Sequence, residues 1–449
     1  MPEAPQNNQS DFIMIEKIKE RPINKKKLLR RTLITAAMAV IFGLIACFTF
    51  LILEPVISNF LYPEEPPQIV VFPEDQEEMS PEEMLADNMQ QENQSNQNLQ
   101  SPEPAPEIVL EQEQIQEILA GVTFDLSHYK QMYGALSAYA TELSQYMVTV
   151  TGVTSNIDWF NNVQISKNQA SGVIIANNGK ELLILVDYSP LRSAEKLSLT
   201  FYNDMQVEAT LKEKDATTSL AVLAVALTDI DQSFLENGLK IASLGSSNIK
   251  NIVGTPTIAL GRPMGTNGSL GYGMITSVST PLSTPDTNYK LLQTDITGSQ
   301  NAGGVLFNLQ GYVIGIITNT EGGSDMENMI TAYGITELKK RVEKMSNGEK
   351  VGYLGISGVD VSREAHDNLG MLYGTYITEV AMDSPAMLAG IQKGDVLVKI
   401  NDENILSYNE YTRTLIEMQV GDTVELTVMR KAQDEYKEMK FQIILGELN

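Results

Sequence analysis

The chain has 449 residues, 43% of them hydrophobic, with 32 Gly and 18 Pro, which suits two or three globular units joined by a linker. A formal charge of −25 argues against nucleic acid, whose phosphates call for clusters of Lys and Arg. The single cysteine, Cys47, lies in an apolar run and the two histidines are His128 and His366, so no disulfide framework, metal site or cofactor is predicted.

In chain order, residues 1–31 form a polar, basic tail in which Lys17, Lys19, Arg21, Lys25, Lys26, Lys27, Arg30 and Arg31 crowd against an uncharged run. That run, residues 32–53, is long enough as a helix to cross a hydrocarbon core of about 30 Å. The next basic residue is Lys130, so the positive-inside rule predicts a single-pass cell-membrane protein with a cytoplasmic N-terminus and extracytoplasmic domains. A cleaved signal peptide is the alternative, but no small-x-small site follows at Glu54-Pro55. Residues 54–110 are rich in Pro, Glu, Gln and Asn and predict an acidic disordered linker, because such a composition buries too little apolar surface to offset its ordering entropy. Over 111–146, apolar residues at spacings of three and four, with a break near Gly121, predict a helical segment packed on the next domain.

From Met147 the pattern changes to short β-like runs, among them Gly172-Val173-Ile174-Ile175-Ala176, Leu182-Leu183-Ile184-Leu185-Val186 and Leu220-Ala221-Val222-Leu223-Ala224-Val225. Strands at this spacing predict an all-β barrel or sandwich.

The run Gln293-Thr294-Asp295-Ile296 to Asn301-Ala302-Gly303-Gly304-Val305-Leu306-Phe307-Asn308, ending in Gly311-Tyr312-Val313-Ile314-Gly315-Ile316, resembles the nucleophile loop of trypsin-fold serine peptidases of the HtrA (DegP/DegS-like) family. Ser171-Gly172-Val173-Ile174-Ile175, Ser219-Leu220-Ala221-Val222-Leu223 and Gly273-Met274-Ile275-Thr276-Ser277 are similar to further family motifs in the same order. The resemblance implies a double β-barrel over 147–345. It also places Ser189 at the position of the catalytic His, Ser219 at that of the Asp and Ala302 at that of the Ser nucleophile, with Asn301, Ala302 and Gly303 forming the oxyanion loop. Alanine has no atom with which to attack a carbonyl, and serine is no general base near neutral pH. Ser299 lies three residues from the nucleophile position without the following Gly-Gly and reads as a surface hydroxyl.

Beyond the polar stretch Ser346-Asn347-Gly348-Glu349-Lys350, the series Ser384-Pro385-Ala386, Ala389-Gly390-Ile391 and Gly394-Asp395-Val396-Leu397 is similar to an HtrA-type PDZ domain, here 351–449. Such a domain adds an extended peptide as a strand and holds its carboxylate on backbone N–H groups, which the resemblance assigns to Tyr353, Leu354, Gly355 and Ile356, with Thr412 and Leu415 touching peptide side chains. The fold class read from the sequence is mainly β, a trypsin-like double barrel plus an α+β PDZ domain, preceded by one transmembrane helix and a disordered linker. The functional reading is a catalytically inactive peptidase homologue that binds polypeptides or protein C-termini in envelope protein quality control, as a homotrimer or beside an HtrA-like protease. Two rivals stand against it: an active serine endopeptidase with a non-standard site, and a structural anchor whose groove is filled by the protein's own side chains.

Overall fold

The structure, a computed structural model, describes residues 25–61, 66–73, 125–157, 163–278, 282–318, 328–432 and 435–448. The basic tail before residue 25, most of the expected linker and residues 111–124 of the expected helical segment lie outside these. The chain divides into two compact units, 1–66 and 67–449.

In the first unit, helix α1 (Lys25–Leu61) runs 37 residues without interruption. Among the described residues, however, no helix is long and apolar enough to cross a membrane, which overturns the predicted transmembrane segment and the localisation built on it. The first turns of α1 carry five Lys and Arg, so the helix is not apolar along its whole length.

In the second unit, residues 67–73 form an extended strap. The Gln68 N–H donates to the Asn178 carbonyl at 2.8 Å, Val70 exchanges two 2.9 Å hydrogen bonds with the Asn347 side chain, and the Phe72 N–H donates to Glu343 Oε2 at 2.9 Å. Val70 is buried. A docked segment therefore stands inside the stretch expected to be a disordered linker, because Ile69-Val70-Val71-Phe72 supplies apolar surface that its acidic surroundings lack.

Helix α2 (Leu126–Leu143) starts at Asp125, whose carboxylate accepts the Ser127 N–H at 2.8 Å, and it buries Ala140 and Leu143. Strands β1 (Met147–Ile157), β2 (Val163–Asn177), β3 (Glu181–Asp187), β4 (Lys196–Thr200), β5 (Gln206–Lys214) and β6 (Leu220–Ala226) close a barrel in the order β1-β2-β3-β6-β5-β4. The continuous apolar runs of β3 and β6 are its centre, with Leu182, Ile184, Val186, Ala221, Leu223 and Val225 all buried. Helix α3 (Gln232–Asn237) caps that barrel with Phe234.

The second barrel, ordered β11-β14-β13-β12-β7-β8, is built from β7 (Pro256–Gly261), β8 (Ser269–Val278), β11 (Leu291–Thr297), β12 (Gly304–Asn308), β13 (Val313–Thr318) and β14 (Met329–Gly334). A hairpin of β9 (Leu282–Thr284) and β10 (Thr287–Tyr289) projects from it. Helix α4 (Ile335–Ser346) then packs Ile335, Leu338, Val342 and Met345 into the core between the barrels.

The C-terminal module is a sheet ordered β15-β16-β17-β19-β20, with β18 beside β17. Its strands are β15 (Ile356–Asp360), β16 (Thr375–Val380), β17 (Val396–Ile400), β18 (Glu403–Asn404), β19 (Thr423–Ala432) and β20 (Glu435–Ile444), joined by helices α5 (Arg363–Leu369), α6 (Pro385–Ala389) and α7 (Tyr408–Ile416). Strand β15 is an edge, paired on one side with β16.

Candidate functional site

The three positions assigned to the triad fall on two barrels. Ser189 follows β3, is exposed, and donates its N–H to Asp187 Oδ1 at 2.9 Å. Ser219 precedes β6, and its carbonyl accepts the Tyr188 N–H at 2.9 Å, so the antiparallel pairing of β3 with β6 brings these two positions together. Its hydroxyl accepts a hydrogen bond from the Arg192 guanidinium, a fixed cation that cannot take a proton from a nucleophile.

Ala302 lies in the loop before β12 and is 5% exposed, with its methyl group in the core of the second barrel beside Ala259, Ile296 and Ile330. The glycine that ends the loop is required on steric grounds. Gly304 has φ +115°, and a Cβ there would stand 2.0 Å from the Leu260 carbonyl oxygen.

The loop's N–H groups are all engaged within the protein. The Asn301 N–H donates to Ser299 Oγ at 3.2 Å, the Ala302 N–H to the Ser299 carbonyl at 2.9 Å, and the Gly303 N–H to the Arg262 carbonyl at 3.2 Å. An oxyanion hole needs such donors aimed at open space, and here they close a turn instead. The histidines serve local structure: His128 sits at the start of α2 against Asp125, and His366 contacts the Met371 carbonyl at 2.7 Å while stacking on Tyr373.

In the C-terminal module, Gly355 takes φ +89°, which turns consecutive N–H groups to one side. They converge on a side chain that the sequence does not single out, Asp286, at the tip of the β9–β10 hairpin. Asp286 Oδ2 accepts the Leu354 N–H at 2.8 Å and the Gly355 N–H at 2.8 Å, and Oδ1 accepts the Ile356 N–H at 3.0 Å. The Tyr411 hydroxyl from α7 donates to Oδ1 at 2.5 Å.

Of the four residues assigned to the nest, Tyr353 stands apart, exchanging 2.9 Å hydrogen bonds with Gly446 instead. Thr412 is half-buried on α7 and Leu415 lies in the module's core. Alongside β15 and α7 runs a cleft of about 1230 Å³, lined by Val359, Asp360, Tyr408, Thr412 and Ile416 on one side and by α4 on the other.

Electrostatics follow from burial. Asp286 is buried, which pushes its carboxyl above the usual carboxylate range against the opposing pull of Tyr411 and the three N–H groups. The same desolvation, with the Asp286 charge beside it, holds the Tyr411 phenol well above its ordinary value. Behind the hairpin, Arg341 from α4 reaches Asp215 Oδ1 at 2.7 Å and Thr287 Oγ1 at 3.0 Å. In sequence, Pro285-Asp286 between two short runs signals a turn. Nothing local signals that its partner lies 70 residues further on.

Comparison with known proteins matches residues 170–316 to the family of trypsin-like peptidase domains and residues 352–440 to the family of PDZ domains. Serine protease Do-like HtrB of Bacillus subtilis is 30% identical over 284 residues, covering 59% of this chain and 60% of that protein. Serine protease Do-like HtrA of Lactococcus lactis subsp. lactis is 27% identical over 320 residues, covering 66% of this chain and 75% of that one. Serine endoprotease DegS of Salmonella typhimurium is 26% identical over 311 residues, covering 67% and 83%. The chain thus spans about 60% of the length of the Bacillus subtilis relatives it matches. Among solved structures, an HtrA-type protease, AlgW, with a decapeptide superposes with a TM-score of 0.50 at 20% identity, covering 69% of this chain and 98% of that one, a likeness of fold. The chain thus carries a trypsin-like peptidase domain followed in the same polypeptide by a PDZ domain, and over that stretch it is similar to serine proteases of the HtrA kind.

Proposed function

We propose that this protein is a recognition member of the HtrA family that binds polypeptide C-termini through its PDZ domain and does not cleave them with the site its relatives' names imply. The observation that carries this reading is Ala302, a buried methyl group at the nucleophile position whose N–H is already bonded to the Ser299 carbonyl. Acyl transfer needs a nucleophile, a base to activate it and donors for the oxyanion. Ser189, Ser219 and the engaged loop N–H groups supply none of these. The nest of Leu354, Gly355 and Ile356 supplies the carboxylate-binding chemistry instead. Association as a homotrimer or with an HtrA-type protease belongs to the same reading.

The test incubates the full chain with unfolded casein and a fluorophosphonate probe, alongside Ala302→Ser and Ser299→Ala. All three are expected to be silent, because a hydroxyl at position 302 would still lack a base. Labelling by the unaltered chain that disappears in Ser299→Ala would establish Ser299 as a nucleophile and overturn the reading. Light scattering of the same sample separates a monomer from a trimer.

A further inference from the structure

A peptide that joins a PDZ edge strand brings a carboxylate to the nest and its last N–H to the strand's carbonyl. Asp286 does both. Its side chain fills the nest formed by Leu354, Gly355 and Ile356, and its own N–H donates to the Ile356 carbonyl at 2.7 Å. Two residues on, Asn288 Nδ2 reaches the Gly358 carbonyl at 3.4 Å, the next acceptor along the same free edge of β15. Tyr411 closes the site from the groove helix.

The residue making these contacts belongs to the barrel's hairpin and sits at φ +66°, a left-handed conformation in which glycine is easier and Asp is tolerated. The hairpin is fixed from behind, since Arg341 bonds both Thr287 and Asp215. The carboxylate is therefore presented by a rigid support, and freeing the nest requires the PDZ domain to move away from the barrels.

We infer that Asp286 is an internal ligand of the PDZ domain, a carboxylate that holds the peptide site closed against the barrels until a polypeptide C-terminus displaces it. This rests on the peptide-recognition reading. The exchange replaces one carboxylate by another on the same donors, so the nest by itself favours neither. Contacts further along β15 and α7, beside Tyr408 and Thr412, decide the outcome, and the ligand class is an extended C-terminal segment with a free carboxylate. An internal competitor has an effective concentration of the order of millimolar and lowers apparent affinity by the fraction of molecules that are open, here on the order of 10- to 100-fold.

The experiment uses the full chain, a fluorescein-labelled degenerate decapeptide pool with free C-termini, and the same pool amidated. Asp286→Asn keeps a residue that tolerates the left-handed turn while removing the charge. Asp286→Gly relaxes the turn and removes the acceptor altogether. Anisotropy measures binding, and hydrogen exchange follows the Leu354, Gly355 and Ile356 amides, with β12 and β13 as the control for folding. The expected result is at least 10-fold tighter binding of the free-acid pool by both variants, no gain for the amidated pool, and faster exchange at the three nest amides in the absence of peptide. Equal binding by the unaltered chain and both variants would overturn the internal ligand and leave peptide recognition standing. No carboxylate-dependent binding by any of the three would overturn peptide recognition and the gate together.

Discussion

Arg341 shows how one side chain can fix the relation of three parts of the fold. It leaves α4, which connects barrels to PDZ domain, and bonds Asp215 beside the first barrel and Thr287 on the hairpin of the second. Its side chain is 12% exposed and that of Asp215 6% exposed, so removing the guanidinium strands a buried carboxylate. Arg341→Ala is expected to cost about 3–5 kcal/mol, read as a lower urea midpoint of the barrel transition. Arg341→Lys, which keeps the charge but loses the two-pronged donor, is expected to fall between. A loss below about 1 kcal/mol for Arg341→Ala would mean that the pair contributes little beyond its own desolvation. At the same scale, Ala302 fits the core of the second barrel with a single side-chain carbon atom.

The strap at 67–73 and helix α4 depend on each other in a way that neither shows alone. An extended segment without a sheet partner leaves its N–H and C=O groups to be satisfied by side chains, and here Asn347 and Glu343 from α4 and its end do so. Asn347→Ala should release the Val70 amide and carbonyl together, at a cost of about 1–3 kcal/mol, the penalty for leaving partly buried polar groups unsatisfied. Hydrogen exchange at Val70 and Phe72 checks this: protection lost at both supports the strap's dependence on Asn347, whereas retained protection would show that the burial of Val70 suffices.

At the scale of the molecule, the docking of PDZ domain on barrels is linked to protons through Asp286. Its carboxyl is raised above the ordinary value, so the docked form takes up a proton more readily than the released form. The contribution of this group to docking is then fully present below the free carboxylate value of about 3.9 and is lost as pH rises through the docked value. Acidification from neutral pH toward the free carboxylate value is therefore expected to strengthen docking and to weaken binding of free-carboxylate peptides by the full chain. Facing the same site are Tyr353, Tyr408 and Tyr411 from the PDZ domain, Arg341 from α4, Glu213, Lys214 and Asp215 beside the first barrel, and Glu349, Lys350 and Glu447 around the adjoining cavity. Repeating the measurement with Asp286→Asn isolates the contribution of Asp286. A pH dependence that survives the substitution would belong to one of those other groups.

The barrels and the PDZ domain were legible in the chain because their cause is local and repeated: apolar runs such as 182–186, turn residues between them, and glycines at positions like Gly304 where no side chain fits. That position 302 carries a methyl group and no hydroxyl is a chemical fact before any folding, while its assignment as a nucleophile position rests on the resemblance. The membrane span read from the uncharged run does not stand, since among the described residues no helix is long and apolar enough to cross a membrane, and the strap at 67–73 was hidden by the acidic composition around it. What only the tertiary structure decided is the state of the two sites. Whether a loop's N–H groups face an oxyanion or close a turn depends on a few tens of degrees of backbone rotation. Whether a nest of N–H groups stands open depends on a carboxylate 70 residues away, brought to it by the packing of one domain on another.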